Sequence, residues 1–213
     1  METELDLWNR ALSAIQSRAR LTSPNENTRE REECERWWDS ARTTALRAVW
    51  WPEARAFATL IPVSLTPTSA SLFPYSFYLP ADYLHGRHLE TFFRYELYRS
   101  ATLNRVLLRT QAPDSVLNYT ADNTAVHTWS PQLRDAVVLG LAGMIARPLT
   151  GKGNLKAELF NEANMILAQN GAQVANEASH GDSREGDYAS WHVARMGNSE
   201  TFRYYQPLGL PYA

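Results

Sequence analysis

The chain is poor in cysteine and in lysine, and it has no long apolar run. One cysteine, Cys34, stands in 213 residues, so no internal disulfide can form. Its place among charges and tryptophans on a helical stretch predicts a packed thiol rather than a nucleophile or a metal ligand. No stretch approaches the ~20 consecutive apolar residues that a membrane helix needs. The opening METELDLWNR is acidic and amphipathic and lacks the basic start and apolar core of a secretory signal. A soluble protein folded in a cytoplasm is expected. No Gly-x-Ser-x-Gly elbow, dinucleotide fingerprint, zinc-finger spacing or basic recognition helix occurs. Gly151-Lys152-Gly153 lacks the earlier glycine and the leading strand of a phosphate loop and reads as a turn between helices. Of the five histidines, 85, 88, 127, 180 and 192, His85 and His88 are too close for the usual helical ligand pair and have no cysteine near them. Asp182, Asp187 and His192, the other candidate ligands, stand on a glycine-rich arm that is a poor rigid scaffold. Paired carboxylates such as Glu32/Glu33 and Asp182/Asp187 read as solvated surface. No catalytic residue, metal or cofactor is assigned.

What is present is arginine and aromatics. Only Lys152 and Lys156 are lysines among 21 basic residues, and seven Trp and ten Tyr accompany the arginines. Arg, Trp and Tyr are the residues enriched at interface hot spots. A GC-rich codon bias would give the same Arg excess. The net charge of −2 gives no overall pull toward nucleic acid or anionic membrane.

Periodicity divides the chain. Thr3 with Asp6 three residues on predicts a capped helix over 3–17, with Leu5, Trp8, Leu12 and Ile15 on one face. Ser23-Pro24-Asn25-Glu26 predicts a second helix reaching Val49, with Cys34, Trp37, Trp38, Ala41, Ala45, Ala48 and Val49 as its apolar stripe, stopped by Trp50-Trp51-Pro52. From about 57 to 120 prolines exclude long helices through much of the stretch. Short runs at 58–61, 75–79, 89–98, 106–108 and 116–119 predict a small antiparallel sheet, with 94–109 open between strand and helix. Ser130-Pro131 starts a third helix, expected to stop at Pro148. A fourth runs from the 150–154 turn to about Glu177 and pairs with it antiparallel. Beyond 178 periodicity ends, yet the segment spends aromatics in a way a free tail does not. An extended arm held by other surfaces is expected, with Tyr188, Trp191, Arg195, Phe202, Tyr204 and Tyr205 as its partner-binding anchors; an arm packed on its own domain is the other reading. The expected fold is therefore α+β and mainly helical. A helical bundle body over 1–178 carries a small antiparallel β region at 57–120, followed by an extended C-terminal arm over 179–213.

The order of these pieces resembles a known family. The stretches that carry the likeness are Leu7-Trp8-Asn9-Arg10-Ala11-Leu12, Ala45 to Ala58 with Trp51 and Phe57-Ala58, and Tyr78-Leu79-Pro80-Ala81-Asp82-Tyr83-Leu84. The last is Pro131 to Glu177, with Leu139-Gly140-Leu141-Ala142 before Pro148-Leu149-Thr150. Together they resemble the head-to-tail adaptors of short-tailed bacteriophages, the tail tubular protein A or gatekeeper family. The resemblance implies a non-enzymatic virion protein of the neck, assembled in the host cytoplasm. It implies a ring, typically of twelve copies, beneath the portal protein, with the tail nozzle protein below and genomic DNA passing through without sequence-specific binding. Another neck or tail-completion protein, a DNA-associated helical protein and a small enzyme are the alternatives.

Overall fold

The computed structural model describes residues 2–63, 72–91 and 93–181, with side chains in the last helix described as far as Val174. These residues form four α-helices and seven strands, the strands all lying between the second and third helices. The chain divides into one unit that ends at Val174 and another that begins at Ala175; both sheets and the first three helices belong to the first unit.

Helix α1 (Glu4–Ala14) starts as its sequence dictates. The Thr3 hydroxyl accepts from the Asp6 amide, and the Asp6 carboxylate accepts in return from the Thr3 amide. This reciprocal pair satisfies two of the amides that a helix start leaves open. The backbone and then the hydroxyl of Thr3 hold the Asp6 carboxyl below the usual range. Leu7, Trp8, Ala11 and Leu12 are buried.

Helix α2 (Arg29–Ala48) begins later than the Ser-Pro pattern predicts. Ser23 Oγ accepts from the Asn25 amide and closes a turn, while Thr28 caps the helix by accepting from the Arg31 amide. Its buried stripe is Cys34, Trp38, Ala41, Ala45 and Leu46. Trp37 and Ala48, expected on that stripe, lie outside it; the Trp37 indole N–H donates instead to Glu33 Oε2 at 3.2 Å. Burial pushes the Cys34 thiol up to about 12, helped by Glu30 and Glu33. The thiolate is what reacts, so Cys34 should label at pH 8 no faster than the protein unfolds. Rapid labelling of the folded chain by a thiol reagent would contradict that burial.

Helix α3 (Pro131–Thr150) is the centre of the helical layer. Leu133, Ala136, Val137, Val138, Leu141, Ala142, Ile145 and Ala146 are all buried, and Trp8, Trp38 and Trp129 join them in one cluster. The helix passes through Pro148, where a stop was expected. A proline so close to the C-terminus removes one amide bond yet leaves the preceding turns intact. The end is set by Gly151, whose φ of 72° places it in the left-handed region that glycine enters freely. The chain then doubles back into α4 (Gly153–Gly181), where Phe160 lies against Gly143 of α3. A Cβ at Gly143 would sit 3.2 Å from that ring, so the contact depends on the missing side chain.

The strands form two antiparallel sheets, β1 (Arg55–Thr59), β7 (Val116–Ala121) and β4 (Tyr83–Leu89) in one, and β2 (Ile61–Pro62), β3 (Tyr75–Tyr78), β6 (Arg105–Thr110) and β5 (Tyr95–Ser100) in the other. β1 and β2 are nearly continuous. Buried Leu60 lies between them as the chain passes from one sheet to the other. Leu60, Phe77, Leu89, Leu108, Leu117 and Tyr119 form a core of their own, drawn from both sheets. The expectation of a mainly helical bundle with a small β region is thus overturned: the β part is a two-sheet sandwich with its own core. The reason is local. Most of strand β4 lies outside the expected runs, and the run 89–98 is divided between the end of β4 and the start of β5. The open stretch 94–109 resolves as the β5–β6 hairpin, turned by Asn104 at φ 49°, whose side chain accepts from Arg99 at 2.6 Å.

Candidate interaction surface

The three-stranded sheet meets the helices through polar groups. The β4–β7 register shifts between Gly86 and His88, which leaves Arg87 as an extra residue in a bulge. Its guanidinium donates to Thr120 Oγ1 at 3.0 Å and to the carbonyls of Arg47 and Val49 at 3.3 and 3.1 Å. It thereby covers carbonyls at the end of α2, where the helix dipole favours a cation. Burial, then Arg87 and Arg47, hold the His85 imidazole below its usual range. His88 meets Asn118 Nδ2 at 3.1 Å and packs edge-to-face with Trp50. Arg42 of α2 binds Asp39 at 2.9 Å and reaches Asp122 just beyond β7. Arg87 and Arg42 are spent on joining the sheet side to α2.

The same holds where titratable side chains gather elsewhere. The Tyr119 hydroxyl donates to Asp82 at 2.9 Å, and burial with that carboxylate pushes the phenol up to about 12. The Tyr83 hydroxyl accepts from the Gly86 amide at 2.8 Å. An open hollow beside α1 is lined by Asp6, Asn9, Arg10 and Arg18 among others. Arg10 there is already paired with Glu2 and Asp135. Among the described residues no three His, Cys, Asp or Glu side chains converge to hold a metal ion, and no helix is long and apolar enough to cross a membrane.

One sheet face turns away from both cores and makes its contacts within itself. Phe77 and Leu108 face the sandwich core, so their neighbours Tyr78 and Leu107 lie on the opposite face of the four-stranded sheet. The register aligns Ile61, Tyr78, Leu107 and Tyr98 in a single row across all four strands. Leu107 is fully buried although it belongs to neither core. The tyrosines flank it, and arginines lie on the tyrosines: Arg105 is 5.3 Å from the Tyr78 ring centre and Arg109 is 3.6 Å from that of Tyr98. Ser76 Oγ meets the Tyr98 hydroxyl at 3.3 Å, and Glu96 lies 3.8 Å from Arg109. Ile61 at the row's end is 67 % exposed. The result is an aromatic stripe edged by guanidinium groups. Such a combination of side chains suits recognition.

Sequence reasoning misses this stripe. Its signal is the alternation Arg105-x-Leu107-x-Arg109, which puts two arginines and a leucine on one strand face. The six anchors that the sequence does nominate, Tyr188, Trp191, Arg195, Phe202, Tyr204 and Tyr205, lie outside the described residues. No protein-family model matches the chain, and no curated protein matches it.

Proposed function

We propose that this chain is a structural subunit of a bacteriophage neck, a head-to-tail adaptor that rings the DNA exit channel beneath the portal and receives the tail nozzle. The observation that carries the reading is the Tyr–Arg stripe, a surface of hot-spot residues facing away from both cores. A subunit of a closed ring must offer two different faces to its neighbours. The order of helices and strands that resembles the adaptor family supports the same reading, as does the aromatic-rich segment beyond 178. Such a chain acts by binding and positioning, without catalysis, cofactor or metal.

The test is sedimentation of the purified protein alone and with the portal ring of the same virus. The expected result is a shift of the chain onto the portal that saturates at a symmetric stoichiometry. No shift with both proteins folded would overturn the reading. Truncation after Glu177 removes all six proposed anchors. The truncated chain should keep its folded signal and lose the portal shift; normal joining would remove the arm from the mechanism.

A further inference from the structure

An edge strand leaves half of its amide and carbonyl groups without a ladder partner, and proteins blunt such edges with proline, bulges or very short strands. Two of the edges here are blunted: β2 is two residues long and includes Pro62, and β4 is broken by two register shifts. β1 is regular but carries one charge, Arg55, which is engaged with Trp50. β5 is regular as well. Its six residues pair consecutively with β6, without proline or bulge. Among the described residues no other backbone hydrogen bond reaches 95–100.

The side chains beside this edge define what it would take. Leu97 stands in one row with Leu108 and Phe77, so it points to the same face as those core residues. Leu108 and Phe77 are buried, yet Leu97 is 45 % exposed and Val106 beside it 47 %. The cover provided by the three-stranded sheet gives out at β5 and leaves an apolar ledge. Arg99, two residues on and opposite Val106, shares that face. It is exposed, bonds the neutral Asn104 side chain, and forms no ion pair among the described residues. Within 95–110 the charges are Arg99, Arg105 and Arg109 against Glu96, which lies near Arg109 on the opposite face. Arg94, Glu90 and Asp114 belong to the connections that enter β5 and leave β6, whereas Arg99 lies by the turn between them.

We propose that the β5 edge binds an extended peptide segment of a partner protein, added as a further strand, with an apolar side chain on Leu97 and a carboxylate on Arg99. The edge alternates donors with acceptors, a pattern that another peptide strand matches in full. A nucleic-acid backbone offers phosphate acceptors and would leave the edge carbonyls unpaired. Because Leu97 and Arg99 share a face two residues apart, they read the same face of the added strand. The segment selected is therefore apolar-x-acidic: main-chain bonds supply affinity and these two side chains supply the choice. This contact is independent of the neck reading, since any protein bearing such a segment satisfies it.

The probe is a capped, labelled peptide, Thr-Val-Thr-Val-Thr-Glu-Thr, titrated into the full-length chain while amide hydrogen exchange is followed. Saturable binding is expected, with exchange slowed across 95–100 and unchanged in β4. Two N-methylated peptides test the pairing, one methylated on the valine and glutamate amides and the other on the threonine amides. One should fail to bind and the other should bind, because an added strand turns only alternate amides to its neighbour. Arg99→Glu should weaken binding about fivefold, and changing the peptide's glutamate to lysine should restore it. Leu97→Lys gives the edge the charge that blunts edges in other sheets. It should abolish binding and leave the unfolding transition in place.

Unchanged exchange across 95–100 at millimolar peptide would overturn the proposal. So would equal binding by the two methylated peptides, or a charge swap that restores nothing. Protection of 95–100 that grows with protein concentration in the absence of peptide would give the edge to self-association instead. Protection by a single-stranded oligonucleotide and not by the peptide would give it to a polyanion. Either result overturns the peptide reading and leaves the portal experiment to decide the neck reading by itself.

Discussion

Trp129→Ala should lower the unfolding free energy by about 3–5 kcal/mol, the range for truncating a large buried aromatic. Trp129 is 2 % exposed and stacks on Trp38 with ring centres 6.0 Å apart, while Trp38 meets Trp8 edge-on at 6.2 Å. Its indole N–H donates to the Asn123 carbonyl at 3.2 Å. Alanine leaves a cavity where α1, α2 and α3 converge and an acceptor without its donor. Trp129→Phe keeps most of the ring volume and should cost less than half as much. Urea midpoints of the two variants against the parent check this, and a Trp129→Ala loss below about 1 kcal/mol would contradict a fixed three-tryptophan core.

The second large effect is an asymmetry at Arg42. Its side chain is 7 % exposed, whereas Asp122 is 29 % and Asp39 82 % exposed. Removing Asp122 leaves a buried guanidinium with one largely solvated partner, and Nε already has none among the described residues. Asp122→Ala should therefore cost about 3 kcal/mol, near the lower bound for breaking a buried pair. Arg42→Met removes the buried charge itself and lets both carboxylates hydrate, so no uncompensated charge stays in the interior and the cost should be about 1 kcal/mol or less, well below that of Asp122→Ala. Equal losses, or the reverse order, would place the desolvation burden on the carboxylates instead.

The sequence announces its helices through caps and apolar spacing, and less of the sheets. Thr3 with Asp6 and Ser130 with Pro131 are local signals, each needing only residues within one turn, and both stand where they were expected. Ser23-Pro24 carries the same chemistry and caps nothing, because a serine oxygen can close a turn as readily as a helix. Pro148 is misleading for a related reason. Its cost depends on distance from the helix end, and Gly151 fixes that end. The extent of the β part is hidden because β4 includes Gly86 and a bulge, and so lacks clean alternation. Composition alone cannot reveal the stripe. It exists through the register that lines up Ile61, Tyr78, Leu107 and Tyr98, and register is a property of pairing between distant segments.

The entry and exit of the sandwich lie side by side. Arg55, its first strand residue, pairs across from Thr120 near the end of its last strand. A short bridge between those positions would keep α2 and α3 joined while removing the Arg87 guanidinium from the end of α2, which is the geometry of a domain insertion. In evolutionary terms the sandwich is a cassette. Any cassette exchanged there must bring its own cation to the end of α2, as Arg87 does, if the helices that carry the tryptophan core are to keep that cap.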